Sequence, residues 1–177
     1  MGKMSNALID CGALQFGEFT LASGEKSSYY IDIKKASTNP KVLKIIAEIM
    51  SEEVSKLDYV PDKIAGVVLG SVPLAAALAL ETGIPYIMIR KEKKDHGTGK
   101  LIEGELNQGD RVIVVEDVIT TAGSSMNAID VIRKAGGKVT DVISVIDRQG
   151  GGSKNLSSIS VDLHPLVTAS ELLEGRE

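Results

Sequence analysis

The sequence predicts an α/β fold in which helices flank a central parallel β-sheet. Four short runs of apolar, often β-branched residues have the continuity of strands that are buried on both faces. Helical patterns separate most of these runs, and strands joined through helices form right-handed crossovers within a parallel sheet. Gly136 and Gly137 follow one helical pattern and would end it, because glycine readily adopts the left-handed conformation found at helix ends.

A small antiparallel unit is predicted ahead of this sheet. Residues 3–15 have the pattern of a short helix that runs up to Gly17. Residues 19–33 alternate in polarity, and Ser23 and Gly24 supply the turn of a hairpin.

The remaining elements follow in order along the chain. Asn39 and Pro40 open a long helix over residues 41–57. Its apolar stripe consists of Val42, Ile45, Ile46, Ile49 and Val54. We expect strands at residues 63–69, 85–90, 112–116 and 139–146, and helices at residues 73–82 and 124–135. The chain becomes irregular after Asp147, and we expect it to finish with a strand at residues 158–163 and a helix at residues 169–173.

The chain length predicts a single domain over residues 1–177. The formal net charge of −4 argues against general nucleic-acid binding, which relies on basic surfaces. No apolar run approaches the roughly 18–20 residues of a membrane span. Cys11 is the only cysteine, so an internal disulfide is excluded and a cytoplasmic location is predicted.

The most informative segment is residues 112–125, which read VIVVEDVITTAGSS. A buried strand is followed by two carboxylates, Glu116 and Asp117, and then by small and hydroxyl-bearing residues before a helix. Ligands of open α/β sheets bind at the carboxyl ends of the strands, and a turn at a helix amino terminus presents free N–H groups to a phosphate. The carboxylates add acceptors for sugar hydroxyls, so the predicted ligand is a phosphorylated ribose.

This segment resembles the phosphoribosyl-diphosphate (PRPP) signature of the type I phosphoribosyltransferases. The resemblance implies their fold, a central parallel sheet with a small N-terminal hood and a flexible catalytic loop. It implies a hood formed by about residues 1–35 plus the C-terminal segment, and a core over about residues 40–150. It also implies that PRPP is bound by Glu116, Asp117, Val118, Ile119, Thr120, Thr121, Ala122, Gly123 and Ser124.

A second segment, residues 90–100, reads RKEKKDHGTGK and follows a predicted strand. Most runs of charge are solvated loops, but this one leaves the same edge of the sheet, where its cations could stabilise a departing diphosphate. It is similar to the catalytic loop of orotate phosphoribosyltransferases, which reaches into the neighbouring subunit. The resemblance implies a homodimer, PRPP contacts from Arg90, Lys91, Lys94 and His96, and catalytic roles for Lys94, Asp95 and His96.

Three further segments resemble the same family. By that resemblance, Lys26 in the hood is catalytic, and Tyr29 and Tyr30 line the pyrimidine site. Arg148 follows a predicted strand, and its guanidinium could grip the orotate carboxylate with two parallel hydrogen bonds. Thr120 would be the other orotate contact. Gly70 and Ser71 resemble the diphosphate loop, although the residues alone also permit a purely structural turn.

The implied activity is the transfer of ribose 5-phosphate from PRPP to orotate, which gives orotidine 5′-monophosphate and diphosphate in pyrimidine synthesis. The implied cofactor is Mg²⁺, held mainly by the substrate and not by dedicated protein ligands. Two alternatives stay open: a phosphoribosyltransferase for a purine base, and a non-catalytic regulator that senses PRPP or a nucleotide. The expected partners are small-molecule substrates and a second copy of the chain, with neither nucleic acid nor membrane.

Overall fold

The structure, a computed structural model, describes residues 2–20, 26–90 and 100–174. The helices are α1 (Lys3–Asp10), α2 (Ile33–Ser37), α3 (Pro40–Ser55), α4 (Val72–Thr82), α5 (Gly123–Lys134), α6 (Gly152–Ser157) and α7 (Ala169–Leu173). The strands are β1 (Leu14–Thr20), β2 (Lys26–Ile31), β3 (Lys63–Val67), β4 (Tyr86–Ile89), β5 (Ile102–Glu103), β6 (Val112–Ile119), β7 (Asp141–Asp147) and β8 (Asp162–Thr168).

The main sheet has six strands in the order β5-β4-β3-β6-β7-β8, and only β5 runs antiparallel to its neighbour. Strands β1 and β2 form a separate antiparallel pair. The predicted α/β class with its parallel sheet is therefore confirmed, and so is the antiparallel unit ahead of it.

The sheet is buried on both faces, which explains the continuous apolar runs of its strands. Along β6, Ile113 and Val115 pack into a cluster with helices α1, α3 and α4, whereas Val112 and Val114 pack into a second cluster with α5. Neighbouring residues of a strand point to opposite faces, so one strand contributes to both clusters.

Most predicted elements are confirmed, including α7 at its predicted bounds and the start of α3. The Asn39 side chain accepts hydrogen bonds from the N–H groups of Lys41 and Val42, which caps α3 as the sequence indicates. Within the described residues, no helix is both long and apolar enough to cross a bilayer.

Several predicted boundaries are wrong. The antiparallel pair expected over residues 19–33 begins at Leu14 and ends at Ile31. The first helix ends at Asp10 and not at residue 15, because Gly12 has a φ of +70° and the chain then enters β1. The third predicted strand continues past the acidic pair to Ile119. The strand expected at residues 158–163 begins instead at Asp162, after the short helix α6. Helices α2 and α6 and strand β5 were not predicted.

Candidate active site

The principal cavity opens at the carboxyl ends of β3 and β6 and has a volume of about 580 Å³. These two strands are adjacent and parallel, with Gly66 paired to Val115, so the segments that leave them lie side by side. The cavity is lined by residues 67–71, residues 116–125 and Lys34. The structure thus brings together the predicted PRPP signature and the predicted diphosphate turn.

Glu116 is buried, and its hydrogen bonds connect β6 with the starts of α4 and α5. Its carboxylate accepts hydrogen bonds from the hydroxyls of Ser71 (2.6 Å) and Ser125 (2.9 Å), both of which are also buried. Ser71 precedes α4, and Ser125 lies in the first turn of α5. Glu116 therefore fixes the two sides of the cavity relative to each other.

Asp117 is half-buried and lies against the turn after β3. One of its carboxylate oxygens accepts a hydrogen bond from the N–H of Val118 at 2.8 Å. The other approaches Gly70 so closely that a β-carbon at position 70 would overlap it. Glycine at this position therefore lets the turn approach the carboxylate, and the preceding Val68–Leu69 peptide bond is cis.

The segment from Thr120 to Ser124 forms an open turn at the amino terminus of α5. Ala122 precedes the helix with a φ of +64°, and no side chain caps that end of the helix within the described residues. Thr120, Thr121 and Ser124 are exposed. Uncapped N–H groups at a helix amino terminus, together with nearby hydroxyls, suit a phosphate group.

Arg148 lies beside this turn, at the end of β7. Its N–H donates to the carbonyl oxygen of Ile119 at 2.8 Å, and its guanidinium lies 5.6 Å from the centre of the Tyr29 ring. Tyr30 contacts Phe19 on the opposite face of β2, with ring centres 5.6 Å apart. The structure therefore brings Arg148 and Tyr29 together and places Tyr30 apart from them.

Two predicted cations lie outside the lining of the principal cavity. The Lys26 ammonium donates to the Thr20 hydroxyl at 3.1 Å, near the end of the hairpin. The Arg90 guanidinium pairs with Glu103 at 3.2 Å, and Arg90 lines a smaller cavity that it shares with Ser124. The predicted loop residues Lys91, Lys94, Asp95 and His96 lie outside the described residues.

Lys34 is a cavity residue that sequence reasoning missed. It lies on α2, which is only five residues long, and far from every motif that points to phosphate chemistry. No sequence signal separates it from the neighbouring Lys35, because both are cations on a short segment.

The described lining of the cavity offers few protein ligands for a metal ion, which suits an ion that is held mainly by oxygens of the substrate. Among the described residues, no group of three or more histidine, cysteine or acidic side chains could hold a metal ion. Mg²⁺ commonly binds through one or two carboxylates together with substrate phosphates, and Asp117 provides a carboxylate at the cavity wall.

Comparison with known proteins places this geometry in a family. The family described as phosphoribosyl transferase domain matches residues 33–162. An orotate phosphoribosyltransferase of Pyrococcus abyssi is 51% identical over 173 residues, which cover 98% of this chain and 95% of that protein.

Solved structures agree with the sequence comparison. The crystal structure of orotate phosphoribosyltransferase from Aeropyrum pernix has a TM-score of 0.85 and 32% identity, covering 97% of this chain and 96% of that one. The Mycobacterium tuberculosis orotate phosphoribosyltransferase in complex with PRPP has a TM-score of 0.80 and 27% identity, covering 97% of this chain and 99% of that one. The chain therefore belongs to the orotate phosphoribosyltransferases, within the wider phosphoribosyltransferase family.

Proposed function

We propose that this protein catalyses the Mg²⁺-dependent transfer of ribose 5-phosphate from PRPP to orotate, giving orotidine 5′-monophosphate and diphosphate. The observation that carries the proposal is that the acidic pair Glu116 and Asp117 and the uncapped amino terminus of α5 line the same cavity. The relatives named orotate phosphoribosyltransferase and the related structure that contains PRPP support the same reaction.

The cavity would bind PRPP through its own residues. The turn from Thr120 to Ser124 holds the 5′-phosphate with hydroxyls and backbone N–H groups. Asp117 and Glu116 accept hydrogen bonds from the ribose hydroxyls, and Glu116 also holds the cavity walls in place through Ser71 and Ser125. The turn at Gly70 and Ser71 receives the diphosphate.

Asp117 is the residue that would hold Mg²⁺ at the cavity wall, together with oxygens of the substrate, and the ion would supply positive charge that offsets part of the diphosphate charge. In the reaction a ring nitrogen of orotate loses its proton and bonds to C1 of the ribose, and the proton is released together with the diphosphate. The bond between C1 and the diphosphate oxygen breaks, and its electron pair leaves with the diphosphate. Positioning of the two substrates and fixed positive charge around the leaving group would supply much of the acceleration.

Arg148 would anchor orotate. Its guanidinium is half-buried beside Tyr29, and its backbone is bonded to the end of β6, so it is held next to the PRPP site. A guanidinium can bind the orotate carboxylate with two parallel hydrogen bonds, while the Tyr29 ring packs against the pyrimidine. Thr120 would supply a further orotate contact.

We further propose a cytoplasmic homodimer in which the segment 91–99 of one chain completes the site of the other. Helix α4 supports a partner surface, because it carries a single charged residue, Glu81, and its Leu80 is 90% exposed. A helix that is apolar on all sides is normally covered. Arg90, Lys91, Lys94 and His96 would then stabilise the departing diphosphate, with Asp95 managing a proton in the loop.

The test is the loss of orotate absorbance with PRPP and Mg²⁺, measured for the wild type and for Arg148→Ala. We expect wild-type turnover, and a fall of about 10–100-fold in kcat/KM for orotate in the variant, because hydrogen bonds to a charged group are lost. PRPP affinity should be unchanged. Lys154→Ala, which removes an exposed cation on α6, is the matched control and should behave like the wild type.

The two alternatives give different results in the same assay. A purine-base enzyme would turn over adenine or hypoxanthine in preference to orotate and would tolerate Arg148→Ala. A regulator that senses PRPP would bind PRPP without consuming any base. Either result would overturn the proposed function.

A further inference from the structure

The turn that is proposed to receive the diphosphate has no positive charge of its own. Residues 67–71 are Val, Val, Leu, Gly and Ser, so their side chains offer one hydroxyl and no cation. The Ser71 hydroxyl already donates to Glu116. A diphosphate that leaves with an electron pair gains negative charge, which a nearby cation would stabilise.

Lys34 supplies a cation at this place. It lines the cavity together with Gly70, Ser71 and Asp117, and it is the one basic residue among the described residues that line it. No hydrogen bond or ion pair of its ammonium occurs within the part of the chain that the structure describes, and the side chain is exposed. The ammonium is therefore available to a ligand.

The backbone beneath Lys34 is firmly held. Ile33 and Ala36 of α2 are buried in the core, and the Lys34 carbonyl oxygen accepts hydrogen bonds from the N–H of Thr38 (2.9 Å) and its hydroxyl (2.7 Å). These contacts involve only the backbone of Lys34. Replacing its side chain should therefore leave α2 in place.

We propose that Lys34 is a catalytic residue that contacts the diphosphate of PRPP and stabilises it as it departs. The inference rests on the proposed function. The other anionic groups of the two substrates already have partners: the 5′-phosphate at the amino terminus of α5 and the orotate carboxylate at Arg148. In the proposed dimer the diphosphate also meets cations of the segment that begins at Arg90. The turn that receives it still offers no cation of its own, and Lys34 is the described basic residue that lines the cavity beside that turn.

The direct test measures the binding of inorganic diphosphate and of ribose 5-phosphate, each with Mg²⁺, by calorimetry. For Lys34→Met we expect the Kd of diphosphate to rise at least about tenfold, because a charge-assisted contact is lost. The Kd of ribose 5-phosphate should stay within about twofold, since the variant does not alter the phosphate turn. Lys34→Arg should restore most of the diphosphate affinity.

Lys35→Met is the matched control, because Lys35 lies on the same helix, is also exposed and is not among the residues that line the cavity. It should bind both ligands like the wild type. In turnover, Lys34→Met should lower kcat and raise the KM of PRPP, while the KM of orotate stays unchanged.

The inference is overturned if Lys34→Met binds diphosphate as the wild type does, if wild-type protein binds no diphosphate, or if the variant raises only the KM of orotate or only the Kd of ribose 5-phosphate. Failure of the proposed function is a separate result, namely that wild-type protein does not consume orotate with PRPP. The two failures can therefore be told apart.

Discussion

Asp141 is a buried carboxylate with three hydrogen-bond donors. Its oxygens accept from the hydroxyls of Thr140 (2.7 Å) and Tyr59 (2.8 Å), and His164 Nε2 lies at 2.7 Å. Burial alone would raise the pKa of Asp141, but the hydrogen bonds from Thr140, His164 and Tyr59 together lower it below its usual value of 3.8. This group lies at the amino-terminal edge of the sheet, away from the active site, so its role is structural.

Tyr59 should make stability depend on alkaline pH. Burial, and then the neighbouring Asp141, raise the pKa of Tyr59 from 10.0 to about 12. Between these values the folded protein keeps a proton that the unfolded chain has lost, so the contribution of Tyr59 is complete below pH 10 and is lost as the pH rises through about 12. We expect the difference in unfolding free energy between the wild type and Tyr59→Phe to shrink over this range.

Urea denaturation at a series of pH values measures that difference. Lysine side chains also titrate in this range, but their contribution is common to both proteins and cancels in the comparison. Curves that remain parallel from pH 8 to pH 12 would show that Tyr59 ionises as it does in the unfolded chain.

Single residues also show what the sequence could and could not predict. Glu116 and Asp117 were predictable because two carboxylates at the end of an apolar strand have few structural uses. The bond between Ser71 and Glu116 was not, because it joins residues 45 positions apart and depends on the pairing of β3 with β6. Lys34 was hidden because its position in the cavity depends on how α2 packs on the core.

At the scale of elements, contacts between residues far apart in the sequence also explain why the predicted end of β6 was wrong. The acidic pair reads as the end of a strand, yet pairing with β7 continues through Val118 with Ile146 and Ile119 with Asp147. A neighbouring strand therefore extends β6 past the point at which its own composition favours a turn. The turn that is proposed to hold the 5′-phosphate consequently begins after Ile119.

The hydrogen bonds that connect Glu116 of β6 with Ser71 before α4 and with Ser125 of α5 lead to the next prediction. In Ser71→Ala the buried Glu116 carboxylate loses one of its hydrogen-bond donors, so we expect the free energy of unfolding to fall by about 1–3 kcal/mol. The turn before α4 would also lose its fixed position, and the KM of PRPP should rise. Urea denaturation and initial rates measure the two effects.

Ser153→Ala is the control for this experiment, because Ser153 is an exposed serine on α6. Its unfolding free energy should stay within about 0.5 kcal/mol of the wild type. If Ser71→Ala is equally stable, the hydrogen bond to Glu116 does not hold the two sides of the cavity together.

At the scale of the whole molecule, strand order places the active site. From β3 the chain moves to β4 on one side of the sheet, and from β6 it moves to β7 on the other side. Strands β3 and β6 are neighbours, so their connections diverge and leave a crevice at their carboxyl ends. The principal cavity lies in this crevice. The class of fold, which the sequence predicted, thus fixes where the site lies, while side-chain packing fixes which residues line it.

The homodimer that we propose, with its active site shared between chains, leads to the last prediction, which uses two inactive variants. Lys94→Ala alters the segment 91–99, and Asp117→Asn alters the cavity wall, so each homodimer should have little activity. A heterodimer of the two, isolated with two affinity tags, contains one site built from an unaltered wall and an unaltered segment. We expect it to recover about half of the wild-type activity, since one of two symmetric sites is intact.

The matched control pairs a wild-type chain with a chain that carries both substitutions. If the segment crosses to the partner, both sites of this control are defective and it stays inactive, because the wild-type wall receives the altered segment. If each chain uses its own segment, the outcomes are reversed: the control keeps about half of the activity and the heterodimer of single variants has almost none. Initial rates of orotate consumption on the two purified heterodimers therefore decide whether the active site is shared.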